Sequence, residues 1–374
     1  MLTPHSAVGS VLGWRIAQNS GARITVCCRS NFDIVRRCGF TIDTAAWGKA
    51  NFKPNHVIRY STCTKSSSAI LTVDRHPSEA PFEKYDYIFV ATKLVSQPEQ
   101  IVKDLAPVVS PHTILCSAQN GVSADSLLGS AFPHNPILSA ICYLSLAQKA
   151  PGVVVQDGGI AVNPHAFAIG VHRASKETAS AVNKLVATDI MFLPIAGKTD
   201  KARWEKMVFN GAWNPSCALL GLDTSRMLKH PLGLTLVRAL AEETWRIAVA
   251  CGVKLDESII DNTTNWAVKN SQLQLVPSML RDMRSGKPVE VEALCGALVR
   301  TASKHNVPVP TISAMERLLS AKNEALRAEM IRKNEQVSNR VRDELPDLQD
   351  SGMSKQPRWS PLLGQVTSTF PIVS

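Results

Sequence analysis

The sequence predicts an α/β protein: a doubly wound parallel sheet, its first strand apparently missing, followed by an all-helical domain. Three observations predict it. Short β-rich runs alternate with helix-periodic runs through the first half of the chain. The run "YDYIFVATK" is continuously apolar over its middle, as a strand covered on both faces must be. From about Asp200 the pattern changes to long amphipathic helices.

Taken in order, residues 7–18 place Val8, Leu12, Trp14, Ile16 and Ala17 at helical spacing, and Gly21 supplies a stop. "ARITVCCR" is rich in β-branched residues and predicts a strand ending at Arg29. A helix-like stretch runs from Phe32 to Cys38, and the turn-rich residues 40–80 predict short strands and loops. "YDYIFVATK" ends in Lys93, a helix is expected from Pro98 to Leu105, and the strand in "TILCSAQNG" runs out at Asn120. "GVVVQ", "FAIGV" and "IMFLPI" around the helix "KETASAVNKLVA" are expected to complete this first domain. Helices are then predicted over 201–220, 231–252, 255–270, 289–305 and, after the break "VPVPT", 311–330. Beyond about Asn334 the periodicity is lost, which predicts a disordered tail. The expected domains are therefore 1–197, 198–330 and a tail over 331–374.

A chain of 374 residues can bury two sizeable cores. Its 45% hydrophobic and 19% charged residues are those of a water-soluble protein. No apolar run nears the roughly 18 residues of a membrane span and no apolar leader opens the chain, so a cytoplasmic protein without a membrane partner is expected. Nine scattered cysteines without CxxC spacing predict reduced thiols rather than a disulfide framework, and no metal site. The net charge of +10 is spread out instead of clustered with aromatics, which argues against a nucleic-acid partner and for small anionic ligands.

Chemistry concentrates in "DKARWEKMVFNGAWNPSCALLG". On a helix, Lys206, Asn210 and Asn214 fall on one stripe among Trp204, Met207, Val208, Phe209 and Trp213. By spacing alone, two surface amides and a snorkelling lysine remain an alternative. "PSMLRDMRSGKPVEVEALCG" adds Ser278, Asp282 and Glu290, which in isolation fit a helix start as well as a site.

Together these motifs resemble the ketopantoate reductases, the 2-dehydropantoate 2-reductases, from Ala7 to about Leu326. The likeness rests on "AVGSVLG", Arg29 after the second strand, "VATK", "QNG", "WEKMVFNGAWNP" and "SMLRDMRSGKPVEVEALCG" followed by "HNVPVPT", all in order. It implies an N-terminal Rossmann domain, a helical C-terminal domain and a monomer or homodimer that reduces a small-molecule 2-keto acid with NADPH. It implies Lys206 as general acid, with Glu290 orienting it and touching substrate. Asn210, Asn214 and Ser278 would hold the substrate's hydroxyl and carboxylate. Ser6, Ala7, Val8, Gly9, Arg29, Lys93 and Asn120 would meet the cofactor, Arg29 suiting the 2′-phosphate where an acidic residue would favour NAD.

One departure stands out. Aligning Gly9 with the third glycine of the family's nucleotide loop puts Pro4 at the first and Ser6 at the second, and leaves no room for the strand before it. Either the start is misplaced or the nucleotide site is a weakened one, in which a serine hydroxyl and the helix N-terminus still offer donors to phosphate. Two further readings therefore stand beside the first: a relative acting on another carbonyl, and a non-catalytic remnant.

Overall fold

The computed structural model describes residues 7–59, 85–94, 98–156, 165–173, 175–271 and 274–344. The expectations placed on Met1–Ser6, on 60–84 and on the chain after Glu344 lie outside the described residues.

Helix α1 (Ala7–Ser20) ends where Gly21 takes a φ of +65° and returns its N–H to the Ala17 carbonyl. Strand β1 (Thr25–Cys28), helix α2 (Phe32–Cys38) and strands β2 (Phe40–Thr44), β3 (Gly48–Phe52) and β4 (His56–Arg59) follow. Next come β5 (Tyr87–Val90), α3 (Pro98–Leu105), β6 (Ile114–Ser117), α4 (Ala124–Ala131) and β7 (Ile137–Cys142). Then β8 (Leu146–Ala150), β9 (Val153–Gln156), β10 (Phe167–Val171), α5 (Lys176–Thr188) and β11 (Phe192–Lys198) close the sheet-bearing half. The sequence reading had passed over α4, β7 and β8.

The strands order as β11-β10-β7-β6-β5 in a five-stranded run and β1-β4 in a parallel pair. Among the described residues no ladder joins β1 to β5, the central place for which the sequence showed no strand. Their side chains nonetheless share one apolar cluster, with Val26 and Cys28 beside Phe89, Ala91 and Cys116.

In one detail the sheet departs from an all-parallel one. The sheet is mixed, because β10 runs antiparallel to β7; parallel neighbours need a long crossover, usually a helix, and none is described between these two. "GVVVQ" lies in the sheet-bearing half, as expected. It forms β9 of a second, four-stranded sheet, β3-β2-β9-β8, where only Val154 of the four is fully buried.

The helical half comprises α6 (Asp200–Leu220), α7 (Thr224–Lys229), α8 (Gly233–Ala250), α9 (Ser258–Lys269) and α10 (Ser278–Arg284). A π-helical turn (Glu292–Gly296) leads into α11 (Ala297–Lys304), and α12 (Pro310–Glu344) ends the described chain. Helix α6 is its axis: Trp213 is fully buried, and its indole N–H donates to the Thr263 carbonyl at 3.1 Å. A buried tryptophan that keeps its N–H satisfied contributes apolar burial of about 2–3 kcal/mol without a desolvation penalty.

Helix α12 corrects the expected tail. It continues to Glu344 because the sequence from Thr311 to Leu345 contains no glycine or proline and is rich in Ala, Glu, Lys and Arg. The residues up to Arg327 belong to one compact unit and those from Ala328 to another. The cysteines among the described residues are free thiols, and none of the described helices is long and apolar enough to cross a membrane.

Candidate active site

Helix α6 carries Lys206 and Asn210 one turn apart, and both line a small crevice with Gln119, Asn120, Gly121 and Ile141. The crevice lies just beyond the C-terminal ends of β6 and β7, where open α/β sheets leave room for ligands. The Lys206 ammonium donates to the Asn120 Oδ1 at 3.1 Å and to the Cys142 carbonyl at 2.5 Å, and lies 5.9 Å from the centre of the Tyr143 ring.

Asn120 owes its place to the residue after it. Gly121 has a φ of +92°, and a Cβ there would sit 2.9 Å from the Ala293 carbonyl oxygen. Only glycine lets this turn press against the π-helical segment that follows Glu290.

Glu290 is 2% exposed, and its carboxylate joins three parts of the chain. Oε1 accepts from the Leu94 N–H after β5 at 3.2 Å, and Oε2 accepts from the Asn120 side-chain amide at 3.1 Å. Between Glu290 and Lys206 stands the Asn120 carboxamide, its oxygen toward the ammonium and its nitrogen toward the carboxylate. The reason is geometric, since one carboxylate oxygen is turned to the buried Leu94 N–H, which needs an acceptor.

Asn214, one turn further along α6 and 5% exposed, is engaged with α10. Its Oδ1 accepts from the Ser278 hydroxyl at 3.2 Å and from the Met279 N–H at 3.3 Å. The two residues assigned to substrate thus meet each other and tie the start of α10 to α6. Lys206 and Asn210 face the crevice, so the predicted stripe divides into an open end and a closed end.

On the cofactor side, Ala7, Val8 and Gly9 form the first turn of α1, which contains no acidic side chain, while Ser6 is outside the described residues. Arg29 is exposed immediately after β1. A cation at a strand end and a helix N-terminus free of carboxylates are donors suited to an anionic dinucleotide. Lys93, exposed after β5, is ion-paired with Asp282 of α10.

Electrostatics single out one group. Burial pushes the Lys206 pKa below that of an ordinary lysine; Cys142 opposes this, the nearby Arg203 charge adds to it and Glu290 opposes it. Burial raises the Cys142 thiol, with the Lys206 charge acting against it. An ammonium with lowered pKa, fixed by two acceptors, can give a proton to an oxygen on which charge develops.

Sequence reasoning missed Cys142 and Tyr143. Cys142 contributes only its carbonyl oxygen, which no side-chain pattern announces. The signal for Tyr143 was present in "AICYL", an apolar strand ending in an aromatic, which the strand reading passed over.

The profile described as Ketopantoate reductase PanE/ApbA matches residues 6–167, and that described as Ketopantoate reductase PanE/ApbA C terminal matches residues 198–323. Saccharomyces cerevisiae Uncharacterized protein YDL144C is 25% identical over 336 residues, 83% of this chain and 90% of that one. The 2-dehydropantoate 2-reductase of Halobacterium salinarum is 27% identical over 207 residues, 55% of this chain and 66% of that one. Among solved structures, the 2-dehydropantoate 2-reductase from Methylococcus capsulatus superposes with a TM-score of 0.66 at 24% identity, covering 87% of this chain and 96% of that one. With both profiles matched in order on either side of the crevice, the chain belongs to the ketopantoate reductase family of oxidoreductases.

Proposed function

We propose that the protein is an NADPH-dependent reductase that converts 2-dehydropantoate, or a closely related 2-keto acid, to the 2-hydroxy acid. The observation that carries this reading is the chain Lys206–Asn120–Glu290 at the crevice, an ammonium of lowered pKa linked through a carboxamide to a buried carboxylate. NADPH, when bound, supplies the hydride for the keto carbon. Lys206 donates the proton that turns the resulting oxygen into a hydroxyl, and its charge stabilises that oxygen as electron density accumulates on it. Glu290 restrains Lys206 through Asn120, and Asn210 reaches into the same crevice for the substrate's polar end. Asn214 and Ser278 shape that end by holding α10 against α6.

Arg29 would take the 2′-phosphate, with the first turn of α1 from Ala7 to Gly9, and Ser6 before it, toward the diphosphate. Lys93 reaches the cofactor by exchanging Asp282 for it. Residues 1–197 are the nucleotide-binding domain in this reading and 198–330 the catalytic one. NADPH oxidation followed with ketopantoate for the wild type and Lys206→Ala is the test: equal rates in both sink the assigned role.

A second reading, in which the acyl chain of the 2-keto acid differs from that of ketopantoate, is favoured by Tyr143. Its ring is 42% exposed beside Lys206 and offers an aromatic wall to a larger substituent. A panel of branched and aryl 2-keto acids separates the two by their kcat/KM ratios.

A further inference from the structure

Arg203 lies one turn before Lys206 on α6, is 6% exposed, and has no part in the roles assigned above. Each of its three guanidinium nitrogens donates. Nε donates to the Asp125 Oδ2 at 2.6 Å and to the Ser139 hydroxyl at 2.8 Å. Nη1 donates to the carbonyls of Gln119 and Gly121, both at 3.0 Å, and Nη2 donates to that of Ser117 at 3.2 Å. Two of these carbonyls belong to the residues on either side of Asn120.

Stability alone is a poor account of this arrangement. A buried ion pair roughly breaks even against apolar packing of the same volume. Two of the five bonds fix the loop that carries Asn120 to the helix that carries Lys206, the two partners of the bond that sets the ammonium, and the other three anchor the same guanidinium to β6, β7 and α4. We infer that Arg203 is a positioning residue, gripping the backbone on both sides of Asn120 so that its carboxamide stays aligned between Lys206 and Glu290. The inference deepens the reading of Lys206 as proton donor and rests on it.

The alignment needs a grip because the Asn120 loop follows a strand end and turns at a left-handed glycine. A displacement of about 1 Å at a reacting group can cost on the order of 100-fold in rate. Lysine cannot replace the grip. Its single ammonium has no planar fork to span the Gln119 and Gly121 carbonyls while also meeting Asp125.

The test is a double-mutant cycle over Arg203→Lys and Asn120→Ala in the full chain, with two readouts. One is kcat and KM for NADPH oxidation with ketopantoate. The other needs no turnover: the rate of Lys206 acetylation by acetic anhydride, followed by peptide mass spectrometry. Arg203→Lys is expected to lower kcat by about 10- to 100-fold while leaving the KM for NADPH within about twofold. It is expected to speed Lys206 acetylation several-fold, and in the Asn120→Ala background to add little to either effect. Additive effects in the cycle overturn the inference, because a residue that only stabilises the fold acts independently of Asn120. A wild type that turns over no 2-keto acid removes the proposed reduction and leaves the acetylation cycle to decide Arg203. If Arg203→Lys does not fold, Asp125→Asn, which keeps the guanidinium and weakens its anchor, takes its place with the same expected pattern.

Discussion

The two sides of the candidate site are built on opposite principles. On the side proposed as catalytic, Lys206, Asn120 and Glu290 are interlocked side chains, Glu290 buried and the other two half-buried, each holding the next at 3.1 Å. On the cofactor side, Arg29 and Lys93 are exposed cations at the ends of separate strands. The difference follows from the tasks proposed for them. Proton donation needs a shifted pKa and sub-ångström placement, which only burial and fixed acceptors provide. Attraction of a polyanion needs charge within reach of solvent, where some freedom of the side chain costs little.

The largest effect that would break this contrast is expected at Lys206. Lys206→Ala should lower kcat by about 100- to 10,000-fold with a much smaller change in the KM for NADPH, measured by steady-state kinetics. The pH profile sharpens the same point. Reduction needs protonated Lys206, so its rate should fall as pH rises through a pKa lying below that of an ordinary lysine, and the reverse oxidation should rise over the same range. An alkaline limb at the ordinary lysine value would mean that burial does not tune this group.

Glu290→Ala comes next, because it leaves the Leu94 N–H and the Asn120 amide without their acceptor in a buried place. A loss of about 1–3 kcal/mol in unfolding free energy is expected by denaturant titration, together with a fall in kcat. On the cofactor side Arg29→Ala should spare stability and kcat. It should raise the KM for NADPH about tenfold, in keeping with one lost charged contact, while leaving that for NADH unchanged. The smallest effect belongs to the Lys93–Asp282 pair, whose lysine is exposed though its carboxylate is buried: Asp282→Asn, which keeps an oxygen acceptor in place, should change stability by about 1 kcal/mol. A larger change there would show that the cofactor side, too, depends on fixed contacts.

Much of the fold was legible because its signals are local. Gly21 ended the first helix, Phe32–Cys38 and Pro98–Leu105 were read with their observed bounds, and the apolar run before Lys93 was the strand its composition required. Where partners across the chain decide, the reading fell short. "GVVVQ" and "FAIGV" are legible as strands, but that the first joins a second sheet and the other runs antiparallel to β7 is not, since neither sheet membership nor polarity is written in a strand's own residues. The last helix was cut short because α12 loses its apolar stripe while keeping its helix-forming composition.

The site divides in the same way. The sequence by itself determined which residue types stand at which spacing, and hence a helix with Lys206, Asn210 and Asn214 on one stripe and a family likeness running the length of both halves. Only the tertiary structure decided that Asn214 turns to Ser278 while Lys206 turns to Asn120, and that Glu290 meets a carboxamide 170 residues away. The physical reason is the range of the forces involved. Backbone propensity and periodicity act over a few neighbours, whereas hydrogen bonds and desolvation are settled by whichever groups the packed core brings together.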